Sequence, residues 1–211
     1  MQELADALNQ PLFIVWSAPM SRAEVLGFAT GLWCVWLAAQ RHILNFPVGI
    51  ANSALLLFLF LQARLFADAG LQVFFIVLGL LGWWQWRRGS TAAAVPVSRL
   101  APGRVAWWVA GALLGTVMLY PLLTWLKGSV PVFDALITTL SIAGQFLLNQ
   151  RKVESWWFWI TVDLISVPVY LHKHLYLIAL LYVIFLVLAC RGWWLWHRAA
   201  PPWRLSTEGV A

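Results

Sequence analysis

Gly82-Trp83-Trp84-Gln85-Trp86-Arg87-Arg88 returns 110 residues later as Gly192-Trp193-Trp194-Leu195-Trp196-His197-Arg198. Each copy closes a long apolar run and ends in cationic side chains. One copy alone reads as a membrane-interface anchor, because indole rings settle at the headgroup level. Two copies at one offset read as an internal duplication. Sliding the chain by the same offset, without gaps, sets Leu37, Gln40 and Arg41 on Leu147, Gln150 and Arg151. Ile50 meets Ile160 and Leu65 meets Leu175. Leucine matches carry little in a leucine-rich chain. The Gln-Arg and Gly-Trp-Trp-x-Trp matches carry the argument.

The composition sets the solvent. Of 211 residues, 62% are hydrophobic and 10% charged, where a soluble domain carries about 25% charged residues. Several apolar runs are long enough to cross a bilayer as helices. The alternating ten-residue segments of a β-barrel are absent. The net charge of +6 fits loop cations that orient membrane helices better than nucleic-acid binding. Cys34 and Cys190 lie inside apolar runs and form neither a disulfide framework nor a four-ligand zinc site. In the N-terminal segment, 1–22, the first ten residues carry no basic side chain and so lack the start of a signal peptide; residues 2–16 read as a surface or re-entrant segment.

Seven spans are predicted: Val25–Ala39, Ile43–Ala63, Ala69–Trp86, Val105–Leu126, Ala135–Gln150, Ser155–Leu171 and Leu175–Trp196. A polar stretch from Arg87 to Arg104 separates the third from the fourth, and the tail, 199–211, reads as disordered. With seven spans, one set of loops holds ten of the 14 Lys and Arg residues and the other holds four. The excess places the C-terminus in the cytoplasm and the N-terminus outside. Parity then decides symmetry. Two three-span repeats joined directly would be inverted, and the fourth span makes them parallel. The fold class is all-α membrane protein, three plus one plus three: repeat 1 at 23–88, a linker with the fourth helix at 89–132, and repeat 2 at 133–198. Parallel repeats of this kind are a transporter design, with the substrate held near the midplane.

Polar groups inside spans are costly unless they pair or line a wet cavity. Asp163 stands in the middle of the sixth span, with Trp159 one turn before it on the same face. It reads either as a packing acid or as a lumen group. Asn45 and Asn52 share a face of the second span; Asn45 is also placed to cap the helix ahead of Pro47. Thr138, Ser141, Gln145 and Asn149 form a polar stripe down the fifth span, suited to interhelical glue or to pore lining. Trp36 and Gln40 share a face of the first span. Gln72 in the third span meets Tyr182 of the seventh at the 110 offset, as a pair of wall positions or in an external vestibule. Amides and rings of this kind suit a planar, hydroxylated ligand, neutral or cationic. No phosphate-binding loop or nucleophile-base pair appears, so neither enzyme nor cofactor is predicted. His172 and His174 read as solvated loop residues, not metal ligands.

These residues lie within stretches that resemble the PnuC-type transporters of nicotinamide riboside, in the wider Pnu vitamin transporter family. The matching stretches are Asn45-Phe46-Pro47-Val48-Gly49-Ile50, Leu65-Phe66-Ala67-Asp68-Ala69-Gly70-Leu71-Gln72, both Gly-Trp-Trp-x-Trp copies, Trp159-Ile160-x-x-Asp163, and Tyr170-Leu171-x-Lys173-x-Leu175-Tyr176. Phe66 stands where such proteins are expected to carry tyrosine. The resemblance implies a homotrimeric facilitator of the bacterial inner membrane, related in architecture to SWEET sugar carriers, with the vitamin trapped by phosphorylation in the cytoplasm. Relatives carry thiamine or riboflavin, and those cargoes, or a sugar, are the alternatives. An integral-membrane enzyme or a non-transporting scaffold is the alternative from another class. The candidate substrate-binding set is Trp36, Gln40, Asn45, Asn52, Gln72, Gln145, Asn149, Trp159, Asp163 and Tyr182.

Overall fold

A computed structural model describes residues 11–15, 18–62, 66–88, 96–101, 103–126 and 130–201. The predicted N-terminal ten residues, most of the tail and the middle of the polar linker lie outside them. Seven helices follow one another: α1 (Arg22–Ala39), α2 (Asn45–Gln62), α3 (Phe66–Arg88), α4 (Arg104–Trp125), α5 (Pro131–Asn149), α6 (Ser155–His172) and α7 (Tyr176–Ala199). Each matches one predicted span within a few residues.

Two details add to this picture. The described residues are not all helical: Pro11–Val15 (β1) pairs antiparallel with Ala18–Ser21 (β2). Pro11 and Pro19 disfavour a helix interior, while Phe13, Ile14 and Val15 favour extended backbone. Ser21 then starts α1 with a reciprocal capping box to Glu24. Secondly, five of the seven helices are long and apolar enough to cross a membrane by length and composition. Only Glu24–Ala39 of α1 is apolar, a shorter stretch. In α6, Asp163, two serines and three tryptophans lower the hydropathy. Most of these groups face protein: Ser155, Trp156, Asp163 and Ser166 are buried, Trp159 is half-buried, and Trp157 is exposed.

The helices close a ring. α1 packs on α2, α2 on α3, α3 on α5, α5 on α6, α6 on α7, and α7 back on α1. α4 stands outside this ring and packs mainly against α5, where the Thr116 and Thr139 hydroxyls lie 2.7 Å apart. Most of its surface is exposed and apolar, Trp107 being 80% exposed, as lipid-facing helices are.

The helix boundaries recur at the offset of the tryptophan motif. α1 ends at Ala39 and α5 at Asn149; α2 begins at Asn45 and α6 at Ser155; α3 begins at Phe66 and α7 at Tyr176. The turns recur too. Arg41 and Arg151 both take left-handed backbone, with φ of 59° and 62°. In each turn the next amide reaches back five residues, His42 N to Leu37 O and Lys152 N to Leu147 O, both at 2.9 Å. This is the helix-ending arrangement in which a left-handed residue lets two backbone amides satisfy orphan carbonyls. An arginine there costs more than a glycine would.

Candidate functional site

One end of the ring is closed by aromatic rings, and the tryptophan motifs build the closure. The last tryptophan of each copy, Trp86 and Trp196, is completely buried. The two rings lie 6.1 Å apart. Phe46 meets Trp86 edge-on at 4.9 Å, and Trp156 meets Trp196 edge-on at 5.6 Å. Phe46 and Trp156 are themselves 110 residues apart. Each indole N–H crosses to the opposite half: Trp86 donates to Asn149 O at 3.0 Å and Trp196 to Ala38 O at 3.1 Å. The motif glycines make room. A Cβ at Gly82 would run into the Phe46 ring and the Asn149 amide, and one at Gly192 into the Trp156 ring. Trp84 and Trp194 do the other job read from the motif. Both are exposed, and Arg88 and Arg198 each lie 4.0 Å over the ring.

Away from this closure, polar and aromatic side chains from four helices meet. On α6, the Asp163 carboxylate is 4% exposed, and Ser166, on the same face, is fully buried. Tyr182 of α7 interacts with both, and its ring stacks on Tyr170 at 5.1 Å and 19°. One turn along α7, Phe185 meets Tyr182 edge-on at 5.9 Å. Phe185 also reaches Gly31 of α1, its tip 3.4 Å from where a Cβ would stand, beside the Asn52 amide of α2. Asn52 contacts the Thr30 hydroxyl at 2.8 Å, and that hydroxyl also lies 2.6 Å from Leu26 O. A hydroxyl has one proton. Whichever acceptor takes it, the Asn52 amide meets Thr30 through Oδ1, and its Nδ2 end has no hydrogen-bond partner among the described residues. A set of contacts thus runs from α2 and α1 across α7 to α6.

The predicted residues divide on this geometry. Asn52, Asp163 and Tyr182 belong to the cluster, and Trp159 lies one turn from Asp163 with its ring against Gly144 of α5. Gln72 is buried on α3 at the place Tyr182 takes on α7. Asn149 and Gln145 are joined to each other at 3.1 Å, and Asn149 also donates to Leu78 O at 2.8 Å, stapling α5 to α3. Asn45 donates to His42 O at 2.7 Å at the start of α2. Gln40 ends α1. Trp36 is not brought to the cluster: it is 42% exposed on the stripe of Leu26 and Trp33, opposite buried Gly27, Gly31 and Ala38. Thr30, Ser166, Tyr170 and Phe185 were missing from the predicted set. Ser166 follows Asp163 by three residues, the spacing that puts two side chains on one helix face. Thr30 is a single hydroxyl with no periodic partner in the sequence.

Residues 21–198 match the family model described as nicotinamide mononucleotide transporter. The chain belongs to this family. The nicotinamide riboside transporter PnuC of Escherichia coli K12 is 26% identical over 208 residues, covering 86% of this chain and 87% of that one. The riboflavin/roseoflavin transporter RibM of Streptomyces davaonensis is 31% identical over 206 residues, covering 90% and 93%. A crystal structure of the vitamin B3 transporter PnuC superposes with a TM-score of 0.70 over 84% of this chain and 80% of that one, at 23% identity. That likeness speaks for the fold. With the apolar helices, family membership makes this a multi-pass membrane protein of a transporter family.

Proposed function

We propose that this chain carries nicotinamide riboside across the bacterial inner membrane, down the substrate gradient, with phosphorylation in the cytoplasm keeping the cargo inside. The observation that carries the proposal is the cluster of Asn52, Asp163, Ser166, Tyr170, Tyr182 and Phe185. Polar groups inside a membrane protein are retained where they bind something, and this cluster offers amide, hydroxyl, carboxylate and ring faces within one closed ring of helices. Such a set matches a flat base joined to a ribose. The aromatic closure at one end of that ring supports a gated carrier rather than an open pore.

The helix pairs support the three-plus-one-plus-three reading. Contacts α1–α7 and α3–α5 exchange under the 110-residue offset, as do Phe46–Trp86 and Trp156–Trp196. A pseudo-two-fold axis along the membrane normal would pass between Trp86 and Trp196, relating repeat 1 (23–88) to repeat 2 (133–198), with the segment 89–132 as connector. The cation excess on the loops at the tryptophan end favours that end as cytoplasmic, with the N-terminus outside. The homotrimer implied by the family resemblance would cover part of the exposed surface.

RibM supports a second reading, riboflavin as cargo, because its identity spans nearly the whole chain. Purified protein in liposomes separates the two. Labelled nicotinamide riboside should enter without ATP or an ion gradient and should not be displaced by riboflavin. Uptake of riboflavin without uptake of the riboside would transfer the proposal to the second cargo, and uptake of neither would end it.

A further inference from the structure

Asp163 is the one buried acidic side chain among the described residues, and no cation or hydrogen-bond donor is paired with its carboxylate there beyond its interaction with Tyr182. Lys173, at the end of the same helix, is directed elsewhere: it lies 3.8 Å from Asp134 and 5.7 Å over the Tyr170 ring. The neighbouring Ser166 hydroxyl is buried with no hydrogen-bond partner of good geometry. A buried carboxylate without a partner costs several kcal/mol when ionised. Its surroundings hold neutral hydroxyls and rings but no cation: Ser166 on the same helix face, the Tyr170–Tyr182 stack, and Phe185 edge-on to Tyr182. Ring faces attract cations, most strongly where water is excluded.

These features share one complement, a flat ring bearing a permanent positive charge. Such a ring would supply the counter-charge that Asp163 lacks and present its face to the aromatic stack. A neutral flat ring of the same shape would still stack, but it would leave the carboxylate uncompensated. We infer that Asp163 with Tyr170, Tyr182 and Phe185 forms a charge-selecting subsite, which makes the carrier prefer ribosides of a cationic base over neutral planar cargo. This rests on the carrier proposal above and adds what the site discriminates.

The test compares two ligands that differ by one hydride. Nicotinamide riboside has a cationic pyridinium ring; its 1,4-dihydro form has the same ribose on a neutral ring. Calorimetric titration of the purified wild-type protein should show the cationic form binding more than about tenfold tighter, the order expected for one desolvated cation–ring contact plus one buried charge pair. Asp163→Asn, which keeps shape and removes charge, should weaken the cationic form and bring the ratio toward one, with binding of the dihydro form little changed. Equal affinity of the wild type for both ribosides would overturn the inference and leave the carrier proposal standing. An unchanged ratio in Asp163→Asn would also overturn it. Binding of riboflavin with no binding of either riboside would overturn inference and cargo together. The wild-type ratio decides the matter even where the variant fails to fold.

Discussion

Gly192→Ala adds one methyl group to a membrane helix, where alanine is ordinarily the better helix former by about 0.5–1 kcal/mol. Here the sign should reverse. The new Cβ would stand 2.5 Å from two atoms of the Trp156 ring, against a normal carbon contact of about 3.5–4.0 Å. The ring would have to move by roughly 1 Å, and it has nowhere to go. Trp156 is 1% exposed and stands edge-on to Trp196. Trp196 is completely buried and held by its bond to Ala38 O. Overpacking of a tight core costs typically 1–3 kcal/mol, and this confined site belongs at the upper end. After the helix-propensity gain, the net loss should be about 2 kcal/mol. For a chain of this size that lowers Tm by about 4–8 °C.

The assay is thermal unfolding of the purified protein in detergent, with Gly111→Ala as the control. Gly111 lies on α4, and nothing stands within 4 Å of the position its Cβ would take. The same substitution there should raise Tm slightly. Trimming the obstruction with Trp156→Leu should make the second change less costly, giving a coupling of about 1 kcal/mol or more in the double-mutant cycle. If Gly192→Ala matches Gly111→Ala in Tm, or the two changes simply add, the aromatic closure is not packed as described.

Two further perturbations separate scaffold from site. Asn149→Ala removes the staple between α5 and α3 and leaves Leu78 O without its side-chain donor. It should cost about 1–3 kcal/mol of stability, read as a lower Tm, with ligand affinity in the surviving fold unchanged; a selective loss of affinity would make Asn149 a ligand group. Trp159→Ala should do the reverse, weakening binding of an aromatic base by about tenfold with a smaller effect on Tm, and unchanged calorimetric affinity would remove Trp159 from the site.

Much of the fold was legible because its evidence is one-dimensional. Apolar run lengths predicted seven helices within a few residues. The offset of two short motifs recurs in the helix boundaries, while the left-handed arginines that share it are visible only in the structure. What resisted reading was direction. Trp83, Trp84 and Trp86 look alike in sequence, yet Trp84 faces outward under Arg88 while Trp86 is sealed in the closure. A helix turns 100° per residue, so one motif covers most of its circumference, and which ring faces inward depends on where the neighbouring helices stand. The same limit explains Trp36. It shares a face with Trp33, and only the positions of α2 and α7 reveal that this face is the exposed one.

The polar residues show the converse limit. Asn45, Asn52 and Asn149 are chemically the same side chain in the same kind of span, and the cost of burying an amide is satisfied differently in each. Asn45 turns back to His42 O, three residues away in its own chain, a local solution that its place ahead of Pro47 foreshadowed. Asn149 reaches Leu78 O, 71 residues away, a partner no local pattern contains. Asn52 touches only a threonine hydroxyl that has a competing acceptor of its own, so one end of its amide has no partner among the described residues. Asn149 uses both ends of its amide, on Gln145 and on Leu78 O, whereas Asn52 keeps one end unengaged beside Phe185, which itself meets Tyr182. Sequence position finds the amides; the inventory of their partners is what distinguishes a scaffold residue from one with something left to offer a ligand.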